Sequence, residues 1–588
     1  MSAQVSAQSP TGAPGSEPIQ LLEVELSRPL PPARLVDEET GRRYARAQAL
    51  VRLHGCPLGF VELTLPAGAG DAISPAGYAH LIWAALGPQI LAHLREDSLP
   101  AVSGIGAEGL PLDGPAPCAL ARQAFLREAP FVSVVVATRD RPQSIAACLR
   151  SLGALEYPRF EVIVVDHVPT SGETRELVQQ AAAAGAGHRG PVVRYAREDR
   201  PGPSWARNRG LDLARGELVA FTDDDVLLDP RWLTELVRGF GAGPDVACVT
   251  GPIVPRELET PAQIWLEQYG GFCKGFAQRV YDRRDNRPPD SLFPYTVGRF
   301  GSGANMAFRA ATLRALGGLD PALGPATPTL AGEDIALFLE VVLRGHQLVY
   351  QPGAIVYHAH SRDFQRFRRQ IYAYGVGLAA CITKSVLDHP GSLPDLLRRL
   401  PGGLAFALDP RSAKNRKKLP GYPAELTRAE LRGMLTGPLA YLRSRWRLRQ
   451  GRSGPRRGLL PAPVPAHGAQ RATWGGVEQS GRPGKGWSPG LPAGAGTRSA
   501  AMTAVPGELA THRTAGEAAG TPAASGARPL GPDVPVRTGS GTGWGEWGEW
   551  GEWGWLPGLS VVIAVGLLLV AVADSGARFG APWAGLLF

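Results

Sequence analysis

The chain has 588 residues, of which 44% are hydrophobic and 20% charged, a balance that excludes a wholly disordered protein and one built of many membrane spans. Its length allows about three or four domains. The net charge is +9, but only six of the 62 basic residues are lysine, so the arginine excess is weak evidence for an anionic partner and no nucleic-acid partner is expected.

Residues 1–18, rich in Ser, Pro, Gly and Gln, read as disordered. The first thirty residues lack a basic segment followed by an apolar one, so no secretory signal is expected. Residues 19–100 carry β-like runs at 49–54 and 58–65 and a helical stretch at 78–94, the pattern of a small accessory α/β domain with a packing or docking role. Residues 101–130 read as a Pro/Gly linker. The six cysteines (56, 118, 148, 248, 273 and 381) form no C-x-x-C pair, which points to a reduced, cytoplasmic compartment.

From residue 131 short β-branched runs alternate with helical segments, the texture of a parallel sheet covered by helices. Residues 131–137 are continuously apolar, as a strand buried on both faces must be. Ile145, Cys148, Leu149 and Leu152 then recur on one helical face behind Pro142, which suits a first turn. A strand at 160–165 ends at Asp166, a helix follows at 173–184, and a third strand at 192–195 completes two βαβ units. P-G-P-S-W-A-R-N-R-G (201–210) opens a short helix, the strand 217–222 runs into Asp223, Asp224 and Asp225, and a helix (230–240) and strand (246–250) follow. The second half holds G-S-G-A-N (301–305), a helix to 316, a helix opened by Gly332, Glu333 and Asp334, and strands at 347–350 and 354–358.

Beyond this block, 364–378 and 431–448 are helical and Arg-rich, which fits either a solvated helix face or an anionic membrane surface. Residues 451–556 are low-complexity and read as disordered. Within 557–588, the 15-residue apolar run 559–573 is short of the ~20 residues that span a bilayer. It reads equally as a C-terminal anchor or as a neutral tail.

Three adjacent carboxylates at the carboxyl end of a buried strand repel one another unless a cation is present. Ligands of open α/β sheets bind at such strand ends, and hard oxygen donors suit Mg²⁺ or Mn²⁺ shared with a substrate's phosphates. The alternative is a solvated acidic turn that caps the next helix.

Together the motifs VSVVVATRDR, EVIVVD, PGPSWARNRG, FTDDD, GSGANMAFR, GGLD and GED, in this order over about residues 131–360, resemble a family 2 glycosyltransferase of the GT-A fold. The resemblance implies a nucleotide-binding, Rossmann-like, mixed and mostly parallel sheet with helices on both faces in a domain spanning 131–385, followed by a helical extension at 386–450. It implies that Thr138, Arg139, Asp140 and Asp166 line the nucleotide pocket, and that Arg207 and Asn208 form a donor-side element. Asp223 and Asp224 would contact the donor, and Asp225, with Asp223, would ligate Mn²⁺ or Mg²⁺. His358 is a further metal candidate beside His360, and Asn305 would shape the sugar and acceptor pocket. Asp334 would be the catalytic base and Glu333 would orient the acceptor.

The resemblance therefore implies an inverting, metal-dependent transfer of one sugar from a nucleotide-diphosphate donor, such as a UDP-sugar, to a hydroxyl of a glycan or lipid-linked acceptor. The expected place is the cytoplasm, at or near the inner face of the membrane. The Q-x-x-R-W element of processive synthases is missing from the Gln365 and Gln370 stretches, which favours single-residue transfer. A sugar nucleotidyltransferase is the rival enzyme, although the Gly-rich phosphate loop it needs after the first strand is missing. A non-catalytic nucleotide-sugar or glycan-binding protein is the other rival.

Overall fold

The computed structural model describes residues 17–37, 40–65, 70–185, 190–419 and 421–451. The expectations for 1–16, for the low-complexity stretch and for the apolar run 559–573 lie outside the described residues.

The N-terminal part is built from β1 (Ile19–Glu25), β2 (Ala33–Arg34), β3 (Arg46–Leu53), β4 (Cys56–Thr64) and β5 (Ala72–Ile73), then helices α1 (Pro75–Glu96) and α2 (Pro117–Arg127). β1 pairs parallel to β3, and β3 pairs antiparallel to β4. α1 begins where Ser74 accepts a hydrogen bond from the Gly77 amide, with Pro75 in the first turn, the usual chemistry of a helix start. Tyr78, Ile82, Leu86 and Ile90 on α1 close over Ala49, Val51, Val61 and Leu63 of the sheet. The segment 101–130 is more than a linker, because α2 occupies its second half with Pro117 at the helix start.

The main domain follows with β6 (Val132–Thr138), α3 (Pro142–Gly153), β7 (Phe160–His167), α4 (Glu173–Gly185), β8 (Val192–Glu198), α5 (Pro203–Leu213), β9 (Leu218–Asp223), β10 (Val226–Leu228) and α6 (Trp232–Gly239). It continues through β11 (Val246–Thr250), β12 (Ile253–Pro255), α7 (Pro261–Tyr269), β13 (Arg279–Tyr281), β14 (Asn305–Arg309), α8 (Ala310–Ala315), α9 (Glu333–Leu343), β15 (Gln347–Tyr350) and β16 (Val356–His358). Helices α10 (Phe364–Asp388), α11 (Leu393–Leu408) and α12 (Ala424–Arg449) complete it.

Eight strands form one sheet in the order β13-β15-β11-β14-β9-β6-β7-β8. β8, β7, β6 and β9 are parallel neighbours, and β14 is antiparallel to both β9 and β11. Cores lie on both faces. Val132, Val134 and Val136 pack with α3 residues Ile145 and Cys148 on one side, while Val135, Ile163 and Phe221 pack with Leu337 and Phe338 of α9 on the other. This is the mixed, mostly parallel α/β architecture expected from the alternating strand and helix texture.

A small sheet of β10, β16 and β12 carries the strands that end near the acidic triplet. The N-terminal part docks beside it. Arg52 donates to Asp229 at 2.7 Å with both side chains buried, and the Tyr357 hydroxyl donates to Glu23. α10 and α12 approach so closely that a Cβ on Gly375 or Gly433 would overlap the backbone of the opposing helix. No helix of the described residues is long and apolar enough to cross a membrane.

Candidate active site

The parallel register places Thr138 beside Asp166 and Ala137 beside Asp223, so the carboxyl ends of β6, β7 and β9 open on one edge. Asp224 turns inward and is 4% exposed. It accepts from Thr138 Oγ1 at 2.6 Å and from Arg141 Nη1 at 3.0 Å. Burial pushes its carboxyl up to about 7, against the pull of Arg141. Arg141 also reaches Asp225 Oδ2 at 3.2 Å, so one guanidinium straps two members of the triplet. The motif containing Arg141 was legible in the sequence, but its pairing 83 residues downstream was not.

Asp223 pairs with a different arginine. Arg207, buried on α5, donates to Asp223 Oδ1 at 2.7 Å and to Glu333 Oε1 at 3.2 Å. The strand tip and the α9 motif, more than a hundred residues apart in the chain, are thereby joined through one side chain. Burial and the neighbouring Asp334 lift the Glu333 carboxyl to about 7, with Arg207 opposing. Glu333 is thus held by Arg207 next to Asp334.

Asp334 is half-buried in the first turn of α9. Its Oδ2 accepts from the Gly303 amide at 2.6 Å and its Oδ1 from the Ile335 amide at 2.8 Å. Gly332 enters the helix at φ +103, and a Cβ there would press on the Gly377 carbonyl of α10, so only glycine permits this close approach. Tyr374, on the same face of α10, feels the charges of Asp334, Asp223 and Glu333 and escaped sequence reasoning altogether.

His358 ends β16 with Nε2 at 3.5 Å from Asp225 Oδ1. Its Nδ1 lies 3.2 Å from His360 Nδ1, and His360 Nε2 lies 3.0 Å from Glu267 Oε1. The hydrogen-bond chain assigns the tautomers. Glu267 can only accept, so His360 carries its proton on Nε2 and its Nδ1 accepts from His358 Nδ1. That leaves the His358 Nε2 lone pair facing the Asp225 carboxylate. Burial holds His358 below its ordinary pKa, with Asp225 opposing, which favours neutral imidazole. Two acceptors pointed at each other fit a shared cation.

Near the carboxyl end of β6, Asp140 has φ +49 and accepts from the Thr170 amide at 2.8 Å. Arg139 lies 3.9 Å from the Asp140 carboxylate. Asp166 is 1% exposed, and the Asp140 amide, the Tyr195 hydroxyl and the Thr174 side chain are its polar neighbours. Burial and Asp140 push its carboxyl up to about 6. His167, beside it, is pushed down to about 4 by burial and by Arg139.

Two expected residues serve the scaffold. Asn305 is fully buried and accepts from Trp232 Nε1 at 2.8 Å, while its amide donates to the Pro252 and Ala354 carbonyls at 2.9 and 2.7 Å. With both ends of the amide engaged, it braces β14 against α6. Asn208 likewise donates to the Leu319 carbonyl at 2.8 Å and accepts from the Leu319 amide at 2.9 Å, holding the loop that precedes α9.

Residues 129–374 match the model of the glycosyltransferase-like family 2. Among curated relatives, a glucosyl-dolichyl phosphate glucuronosyltransferase of Haloferax volcanii is 27% identical over 33% of this chain and 57% of its own length. A pre-mycofactocin glycosyltransferase of Mycobacterium tuberculosis is 28% identical over 35% of this chain and 39% of its own. The chain thus spans little more than half, or less, of the curated relatives it matches. A solved mannosyltransferase from Pyrobaculum calidifontis, in complex with GDP-Man and Mn²⁺, superposes with a TM-score of 0.35 at 22% identity, covering 55% of this chain and 79% of its own. Through residues 129–374, this chain is similar to the glycosyltransferase-like family 2.

Proposed function

We propose that the protein transfers one sugar from a nucleotide-diphosphate sugar to an acceptor hydroxyl with inversion at the anomeric carbon. The observation that carries this reading is Arg207, which ties Asp223 at the strand tip to Glu333 beside Asp334. It supports a single site with a donor-binding edge and a basic edge. A UDP-sugar is the first donor to test. The name of the haloarchaeal relative includes a dolichyl phosphate, which favours a lipid-linked or glycan acceptor reached at a membrane face.

Asp225 and His358, with Asp223 beside them, would hold Mn²⁺ or Mg²⁺, since a carboxylate and an imidazole lone pair already converge there. Such an ion would supply charge neutralisation for the departing nucleoside diphosphate. Arg141 restrains Asp224 and Asp225. Asp166, at the carboxyl end of β7 beside Thr138, would contact the ribose or base of the donor.

Asp334 would take the acceptor proton. The Gly303 and Ile335 amides fix the plane of its carboxylate, leaving the remaining lone pairs for the acceptor. A carboxylate suffices, because the attacking hydroxyl becomes strongly acidic only as it bonds to an oxocarbenium-like carbon.

The direct test is transfer from a donor panel with and without Mn²⁺, comparing the wild type with Asp334→Asn. The variant is expected to bind donor as the wild type does and to lose at least ~100-fold in turnover, the usual worth of a general base. Unchanged turnover removes Asp334 from the reaction.

A further inference from the structure

Four metal-ligating side chains converge in the N-terminal part, away from the acidic triplet. His54, His93, Asp97 and Cys118 each present one donor atom, all within 4.8 Å of one another. His54 Nδ1 lies 3.1 Å from His93 Nε2 and 3.0 Å from Asp97 Oδ2. His93 Nε2 lies 3.4 Å from Asp97 Oδ2 and 3.9 Å from Cys118 Sγ. The His54, His93 and Asp97 side chains are all under 10% exposed.

From these four donors we infer a structural zinc site. Donors about 2.0–2.3 Å from one Zn²⁺ in tetrahedral array are ~3.3–3.6 Å apart, and the observed spacings bracket that range. Imidazole, thiolate and carboxylate suit zinc. Without a cation, two imidazole nitrogens and a carboxylate oxygen share a buried space in which all three are acceptors unless protonated. His54 Nε2, on the far side of its ring, is buried and has no hydrogen-bond partner among the described residues, so hydrogen bonding there does not account for the placement of the ring.

Local structure presents the ligands. His54 and Gly55 form the two-residue turn between β3 and β4, both at positive φ, and for histidine this conformation is uncommon. It points the ring at α1. His93 and Asp97 are one helical turn apart at the end of α1, so they share a face. Cys118 is the second residue of α2. The four ligands close the coordination sphere and leave no open position, which marks a structural site. Its effect would be to fasten the sheet turn, the end of α1 and the start of α2, securing the connection to the main domain, where Arg122 of α2 pairs with Glu235 at 3.2 Å.

Metal content of the full-length protein tests this. After dialysis against a weak chelator, the wild type should retain one zinc per chain, as should Asp225→Ala, which changes only the proposed catalytic ion site. His93→Gln and Cys118→Ser should retain none. Should either variant fail to fold, the wild type still decides. Grown with Co²⁺, it should show the intense visible bands of tetrahedral cobalt and a thiolate-to-metal band, and the Cys118 thiol should resist alkylation until a strong chelator is added. A folded chain that keeps no zinc, or a peptide map showing Cys118 disulfide-bonded to the neighbouring Cys56, overturns the inference.

Discussion

Asp166→Asn isolates one buried charge. In the folded protein burial and Asp140 raise the carboxyl from its ordinary 3.8 to about 6. A shift of about two units at ~1.4 kcal/mol each sets an upper limit near 3 kcal/mol, and local water penetration places the effect at ~1–3 kcal/mol. The sign follows from linkage. A raised folded pKa means that the native state holds its proton more tightly, so the penalty is absent below about pH 4, grows as pH rises through about 6, and is constant above. Asparagine keeps the shape and removes the ionisation. The variant should therefore gain ~1–3 kcal/mol over the wild type between about pH 4 and 7.5, read as a diverging pair of urea midpoints at constant slope. Donor affinity should fall in the same variant, because the carboxylate acceptors are gone. A stability difference that stays flat with pH, or that shrinks as pH rises, refutes the assignment of a strained buried carboxylate.

Arg207→Met leaves Asp223 and Glu333 without their shared counter-ion; breaking such a buried pair costs ~3–5 kcal/mol, and thermal denaturation should show the loss together with reduced transfer. His358→Ala should weaken the Mn²⁺ dependence of transfer by at least ~10-fold in half-saturating metal, while His360→Ala, acting through the tautomer of His358, should give a smaller shift of the same sign. Asn305→Ala strands the Trp232 indole N–H and two carbonyls in the core; at ~1–3 kcal/mol for each unsatisfied group, a loss of ~3–5 kcal/mol is expected with donor affinity unchanged in whatever protein remains folded.

Local pattern carried the fold well where burial is uniform. The apolar runs ending at Thr138, Asp166 and Asp223 read as central strands because both faces of a parallel sheet are covered, and they occupy that position in β6, β7 and β9. The acidic triplet was legible because three adjacent carboxylates at a strand end conflict with burial unless something offsets them. Pairings across long stretches of chain were not legible. Nothing local reveals that Arg141 straps Asp224 and Asp225, or that Arg207 joins Asp223 to Glu333.

Asn305 illustrates the converse. A Gly-Ser-Gly-Ala-Asn stretch looks like a flexible turn at a pocket, yet a fully buried Trp232 and two strand-end carbonyls consume every hydrogen-bonding atom of the asparagine. The His54 cluster was equally hidden, because its ligands come from a hairpin turn and two helices, with none of the short spacings that mark zinc ribbons. The helix α2 was masked by the Pro/Gly content around it, although Pro117 at its first turn is a normal helix opener.

The central claim is that Asp225 and Asp334 serve opposite sides of one sugar. The most direct measurement is a crystal structure of the Asp334→Asn protein with Mn²⁺ and a non-hydrolysable nucleotide-diphosphate sugar. The account predicts the ion on Asp225 and His358, the diphosphate beside it, and the anomeric carbon between that diphosphate and the side chain at position 334. A donor whose sugar points away from position 334, or an ion bound elsewhere, contradicts it.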